Sequence, residues 1–293
     1  MSYFAMTVGD TVQLRHELTS QIANEEGAGH WFALVDKAFD HDKLNLRMAD
    51  ATETALYHQG TFEALLSVSP VLIALPNDAS ALDERLKRLV RHCKGRPMLC
   101  VLKAACPATQ LRDDWQHLLA VETGEQERFL LRFADTRVLP TLALIDTIWN
   151  RLAAPVLAWW IVGRNGQWQP LPQPATRIYD HEPLTIDEGA YARLISSGCA
   201  DAMAAYLDEH FPDLLAGRDG YANYLLLEQL ANLCERSGID GSGEQHALAV
   251  ATMLTEGRLV ETTGFAEWLA EKSWSAGGLE DALEIWMTER GLI

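Results

Sequence analysis

The sequence predicts two domains of different class, an α/β (α+β) domain with a central sheet of about five strands flanked by helices, and then an all-helical domain. Short apolar runs alternate with helical patterns over residues 1–170, as in domains where helices cover a largely buried sheet. From residue 184 to residue 293 only helical patterns follow. Prolines lie at positions 170, 172, 174 and 183, between the two patterns, and they predict a linker over residues 171–183.

The strands and helices of the first domain are predicted from their apolar periodicity. The predicted strands are Trp31–Asp36, Val71–Leu75, Met98–Lys103, Phe129–Phe133 and Val156–Val162. The predicted helices are Asp42–Met48, Phe62–Ser67, Ala81–Cys93, Leu111–Leu119 and Asp135–Asn150. A Gly-Arg-Asn-Gly turn at 163–166 favours an edge strand after it.

The second domain is predicted to consist of six helices separated by glycine and Phe-Pro breaks. They are Asp187–Ile195, Ala200–His210, Tyr221–Arg236, Glu244–Glu256, Thr263–Glu271 and Leu279–Glu289. Thr185 and Glu188 have the spacing of a capping box at the start of the first helix. The tryptophans of this domain are expected in its core.

The net charge of −17 is distributed unevenly along the chain. Residues 171–293 contain 7 Lys or Arg against 21 Asp or Glu, whereas residues 1–170 contain 17 against 20. Such acidity argues against nucleic acid as a partner of the second domain, because it would repel phosphate. It is compatible with a basic protein partner or with solubility alone.

The helix Ala81–Cys93 carries the one basic cluster of the sequence. Leu82, Leu86, Leu89 and Cys93 share its apolar face. The charged side chains on the other faces include Arg85, Arg88, Arg91 and Lys94. A solvated helix surface and a docking face for an acidic partner are both open interpretations.

The sequence contains no recognisable catalytic, metal or cofactor motif. It lacks a G-x-S-x-G elbow, a Walker A loop, a G-x-G-x-x-G loop and an H-E-x-x-H helix. Five cysteines without C-x-x-C spacing are expected to be reduced, mostly buried thiols. No apolar run is long enough to span a membrane and no signal peptide is recognised, so a cytoplasmic protein is expected.

The segment Phe129–Leu139 places three charged side chains at a predicted strand-to-helix junction. These are Arg132, Asp135 and Arg137, with Phe133 between them. Asp135 is expected to cap the following helix, and an arginine to pair with Asp135 or with Asp36. Partner recognition is a second interpretation, because arginine often anchors interfaces. A third is an enzyme of unrecognised type that uses Arg132, Asp135 and Asp36 at strand ends.

The first ~170 residues resemble the Tap/Tec-type adaptors, or effector-loading chaperones, of bacterial type VI secretion. The resemblance rests on an ordered series: Trp31–Ala38, Ala55–Gly60, Ser69–Leu75, Leu130–Leu139 and Ala154–Trp160. Leu130–Leu139 is similar to the family motif Arg-Phe-Tyr-Asp-Pro-Arg-Val-Leu, with Ala134 and Thr136 at the tyrosine and proline positions.

This resemblance implies a non-enzymatic function. Such adaptors bind a secreted effector protein and help to load it onto the VgrG spike protein, staying in the cytoplasm. It therefore implies two protein partners, no cofactor and no membrane span. It does not indicate which domain binds which partner.

Overall fold

A computed structural model describes residues 4–24, 27–40, 52–125, 127–272, 274 and 278–293. The chain divides into two compact units, one formed by Val8–Leu194 and the other by Ile195–Ile293 together with the segment up to Thr7. The first unit contains the sheets and the second is helical, which confirms the predicted fold class.

The main sheet has six antiparallel strands in the order β2-β3-β1-β4-β7-β8. They are β1 (His30–Asp36), β2 (Glu53–Ala55), β3 (Pro70–Ala74), β4 (Leu99–Ala104), β7 (Val156–Val162) and β8 (Trp168–Pro170). The two central strands are almost entirely buried, since Leu34, Leu102 and their neighbours have no exposed surface. Continuous apolar runs are typical of strands covered on both faces.

The predicted strand Phe129–Phe133 is wrong in two respects: the observed strand has other bounds, and it does not belong to the central sheet. Strand β6 covers Arg128–Leu130 and belongs to a second sheet of three strands, with β5 (Ala120–Glu122) and β9 (Leu184–Thr185). Phe129 and Leu130 are each 38% exposed, so their apolar character does not mark a buried strand. Arg132 and Phe133 therefore lie in the chain after a strand end, not within a strand.

The helices of the first unit differ in extent from those that the sequence predicts. They are α1 (Thr11–Asn24), α2 (Ala79–Cys93), α3 (Ala108–Trp115), α4 (Leu139–Leu142), α5 (Asp146–Leu152) and α6 (Glu188–Ser197), the last of which continues across the unit boundary. The single helix predicted over Asp135–Asn150 is wrong, because a turn precedes α4 and a second break separates α4 from α5. Residues Phe62–Ser67 form part of a 3-10 helix, Gly60–Val68. The predicted helix Asp42–Met48 lies outside the described residues.

The core of the first unit lies on the sheet face covered by α3, α4 and α5. Trp115 is at its centre, with its ring 5.6 Å from Trp159 and 5.1 Å from Phe133. Its indole N–H donates to the Leu152 carbonyl at 2.9 Å, which satisfies the one polar atom of a fully buried side chain.

The stretch 171–183, predicted as a linker, lies within the first unit. Leu171 N donates to Trp159 O at 2.8 Å, and Ile178 N donates to Asn150 O at 2.9 Å. The division between the units instead follows Leu194. Thr185 was wrongly predicted as the helix cap, because it belongs to β9 and Asp187 Oδ1 accepts from Ala190 N at 2.7 Å.

In the second unit, the described residues form helices joined by loops, together with the segment 4–7. The helices are α7 (Cys199–His210), α8 (Pro212–Leu215), α9 (Gly220–Ser237), α10 (Ser242–Leu254), α11 (Arg258–Glu261), α12 (Phe265–Glu271) and α13 (Leu279–Glu289). Its core contains Trp286, whose ring is 5.2 Å from Phe265 and 5.7 Å from Trp268.

The segment before Val8 packs on the start of α9 within this unit. Ala5 is fully buried in the helical core. The Thr7 hydroxyl contacts both carboxylate oxygens of Asp219, at 2.5 and 2.7 Å. Gly220 faces the Met6 backbone so closely that a Cβ atom there would lie 2.4 Å from Met6 O. Glycine is thus required for this approach.

Candidate functional site

Asp36 ends the central strand β1 and is only 2% exposed. Its Oδ2 accepts from Arg132 Nη2 at 2.8 Å, and its Oδ1 accepts from Ala38 N at 3.0 Å. The second bond begins a 3-10 turn, Lys37–Phe39, directly after the strand. One buried carboxylate therefore fixes both the local turn and a side chain that lies 96 residues away in the sequence.

Asp135 is the second buried carboxylate of the site, with 1% exposure. Its Oδ1 accepts from Arg137 N at 3.0 Å and Arg137 Nε at 3.1 Å, and its Oδ2 accepts from Arg137 Nη2 at 2.8 Å. The backbone bond closes an Asx-type turn, and the other two form a bidentate pair. Asp135 therefore does not cap a long helix. Arg132 Nη2 also lies 3.7 Å from Asp135 Oδ2, which joins the two ion pairs.

The Phe39 ring lies against both guanidinium groups. The Cζ atoms of Arg132 and Arg137 are 5.0 and 5.4 Å from its centroid, within the range of a cation–π contact. Phe39 is 9% exposed, whereas the Arg132 side chain is 37% exposed and that of Arg137 is 20% exposed. We call Asp36, Phe39, Arg132, Asp135 and Arg137 the arginine corner.

Burial changes the acid–base properties of the arginine corner. It raises the pKa of Asp36, although the Arg132 charge and hydrogen bond oppose that rise. Burial, with a contribution from Asp36, also raises the pKa of the neighbouring Tyr57 to about 12. The site is therefore poorly hydrated beneath its exposed guanidinium edges.

A second group of charged residues anchors the chain just after the turn. Asp40 Oδ1 accepts from His92 Nε2 at 2.7 Å and from Arg96 Nη1 at 3.1 Å, and the same Arg96 nitrogen donates to Phe39 O at 3.0 Å. The sequence patterns did not predict this group. A histidine near the end of α2 and an arginine after it gave the only signal, and neither spacing shows that Asp40 is their partner.

The remaining predicted site residues are distributed as follows. Phe133 is 2% exposed and packs on Trp115, so it belongs to the core and not to the surface of the site. On α2, Arg85 Nη1 donates to Ala74 O at 3.0 Å, whereas Arg91 and Lys94 are exposed. The residues described contain no group of three or more His, Cys, Asp or Glu side chains arranged to hold a metal ion.

None of the helices in the described ranges has the length and apolar content needed to cross a membrane.

Comparison with known proteins gives one match. The model of a family described as a domain of unknown function, DUF4123, matches residues 31–147. This family is associated with type VI secretion effector adaptors. A search of curated proteins gave no match, and neither did a search of solved structures. The matched segment contains every residue of the arginine corner.

Proposed function

We propose that this chain is a non-enzymatic, cytoplasmic adaptor that binds a type VI secretion effector and helps to load it onto the VgrG spike protein. The observation that carries the proposal is the family match over residues 31–147, which spans both sides of the arginine corner. That family is associated with such adaptors.

The geometry of the arginine corner favours a protein-docking role. Buried carboxylates hold Arg132 and Arg137 in fixed positions, while 37% and 20% of their side chains remain exposed. Fixing a long side chain before binding lowers the conformational entropy that association would cost. Arginines on an aromatic ring can donate to backbone carbonyls or carboxylates of a partner.

Catalysis by Asp36, Arg132 and Asp135 is less well supported. The raised pKa of Asp36 is a property that an acid–base residue can have. However, both Asp36 oxygens accept hydrogen bonds, and Asp135 accepts three from Arg137. A turnover that is lost in Asp135→Asn while the fold survives would favour this alternative.

The experiment is co-expression of the full chain with effector candidates encoded beside its gene, and separately with VgrG, followed by affinity and size-exclusion measurements. Arg137→Lys retains the charge but cannot form the bidentate pair, so we expect effector affinity to fall about tenfold. Arg128→Lys, at a 58% exposed side chain on β6, is the matched control and should bind normally. Failure of the wild-type chain to bind either partner would contradict the proposal.

The exposed end of α2 is our candidate surface for the spike. Arg91→Glu with Lys94→Glu reverses two exposed charges without changing Arg85, which bonds the backbone of β3. We expect VgrG binding to weaken while effector binding is retained. Unchanged VgrG binding would exclude this face.

A further inference from the structure

A small cavity with both apolar and ionisable lining residues lies in the first unit, apart from the arginine corner. Its volume is about 80 Å³, and its ionisable lining residues are Asp114, His117, Arg151, Asp180 and His181, with Tyr179 beside them. On this measure, about 10–15 Å³ is enough to hold one water molecule. The cavity is thus large enough for a small polar group.

Residues 178–181 form one wall of the cavity, and the chain on either side of them is held by hydrogen bonds. Arg177 Nη1 donates to Ala153 O at 3.2 Å and to Val156 O at 2.8 Å. Arg151 bonds the Asp180 carboxylate and the Glu182 carbonyl from the other side. The cavity is therefore a built feature of the fold and not a gap beneath a loose loop.

Hydrogen-bonding capacity inside the cavity is left unused. Both ring nitrogens of His117 and the Nε atom of Arg151 are buried without a hydrogen-bond partner. Buried polar atoms normally bond to protein or water, so these atoms can bond to a small polar group that enters the cavity. Within the described ranges, no lysine or arginine forms an ion pair with Asp114, whose nearest polar contact is Cys106 Sγ at 4.0 Å.

The fixed charges of the cavity leave an excess of negative charge. Arg151 pairs with Asp180, and Asp114 has no fixed positive partner among the described residues; burial raises the pKa of Asp114, and the His181 charge opposes that rise. Burial lowers the pKa of His117, and the Arg151 and His181 charges lower it further although Asp180 opposes them, so its ring is neutral at pH 7 and offers a lone pair. A carboxylate and a neutral imidazole are both acceptors for a cationic N–H donor.

We propose that this cavity binds a primary ammonium group, carried either by a small free amine or by a lysine side chain. Asp114 supplies the opposite charge, and His117 accepts one of the N–H bonds. A small anion would meet two carboxylates, and the described residues contain no metal-binding arrangement. This inference is independent of the proposed function.

The test is an NMR titration of the full chain at pH 7 that follows the imidazole signals of His117 and His181. The probes are methylammonium chloride for a free amine and Nα-acetyl-lysine amide for a lysine side chain. Tetramethylammonium chloride at equal ionic strength is the control, because it has the same charge and no N–H donor. We expect saturable shifts with at least one probe and none with the control.

Three variants test whether binding is specific to the cavity. Asp114→Asn should weaken binding at least about tenfold, since it removes the charge that assists the hydrogen bonds. Asp113→Asn, whose side chain is 59% exposed, is the matched control and should bind as the wild type does. His117→Gln should also weaken binding, and it provides an independent check if the Asp114 variant does not fold.

The two probes distinguish the possible sources of the ammonium group. Binding of both probes shows that the ammonium group suffices, and binding of the lysine derivative alone identifies a protein side chain as the source. The proposal is overturned if neither probe binds, if tetramethylammonium shifts the signals equally, or if Asp114→Asn binds as tightly as the wild type.

Discussion

Replacing Arg132 by Met tests whether the arginine corner holds the first unit together. The change leaves Asp36, which is 2% exposed, with only the Ala38 N–H as partner. Removing one partner of a fully buried ion pair costs about 3–5 kcal/mol. Because the Arg132 side chain is 37% exposed, water already screens part of this pair, and we expect a cost of about 2 kcal/mol.

Thiol labelling of Cys100 measures this cost in the α/β unit, where the arginine corner lies. Cys100 is fully buried on β4, and its Sγ lies 3.9 Å from Ala134 O beside the arginine corner. Labelling requires opening of this region, so about 2 kcal/mol corresponds to labelling that is roughly 30-fold faster, at about 1.4 kcal/mol per factor of ten. Cys234 in the helical unit is the internal control and should label at an unchanged rate.

The double variant Asp36→Asn, Arg132→Met separates charge from packing. Asparagine can still accept from Ala38 N but carries no charge, so we expect a smaller total loss of folding free energy than in Arg132→Met alone.

The effect of Arg132→Met on stability should also depend on pH. Burial raises the folded pKa of Asp36 above 3.8, so its contribution is greatest when protonated and is lost as pH rises through that pKa. Arg132→Met should accordingly cost less below it than above it. This account of the arginine corner would be refuted if Arg132→Met lowered the free energy of unfolding by less than about 0.5 kcal/mol. It would also be refuted if the double variant lost as much unfolding free energy as the two single variants together.

Three further predictions concern single residues. Gly220→Ala should destabilise the helical unit by about 1–3 kcal/mol in thermal or urea unfolding, because the new Cβ would meet Met6 O at 2.4 Å; Gly243→Ala, with no atom within 4 Å, is the control and should be neutral or slightly stabilising. Tyr57 should give an ionisation step near pH 12 in an absorbance titration at alkaline pH, and Tyr57→Phe should remove that step. Its raised pKa means that stability is lost as pH rises from about 10 toward 12. Cys199, which is only partly buried, should react with thiol reagents before the other four cysteines, and equal reactivity of Cys100 would contradict the described burial.

The strands of the main sheet were predictable because burial on both faces leaves a continuous apolar run. The run Val156–Val162 predicts β7 to the residue, and α2 and α13 follow their apolar stripes closely. The run Phe129–Phe133 misled because Phe129 lies on an edge strand, where the Tyr191 ring at 5.6 Å covers it instead of a second sheet face. Helix α1 escaped prediction because only three of its residues, Leu14, Leu18 and Ile22, are buried.

The candidate site was predictable in its members more than in its geometry. Charged residues around a strand end indicated that Asp36, Arg132, Asp135 and Arg137 belong together. The sequence could not show which arginine pairs with which carboxylate, because the choice depends on the turn between Asp135 and α4. Nor could it reveal Phe39, whose role depends on where the 3-10 turn directs its ring.

The segment before Val8 makes the helical unit discontinuous in sequence, with the α/β unit inserted into it between Thr7 and Ile195. During synthesis the ribosome releases Thr7 long before Asp219, so their contact can form only after the whole α/β unit has been made. A fragment that starts at Ile195 would lack Ala5, which is fully buried in the core of the helical unit.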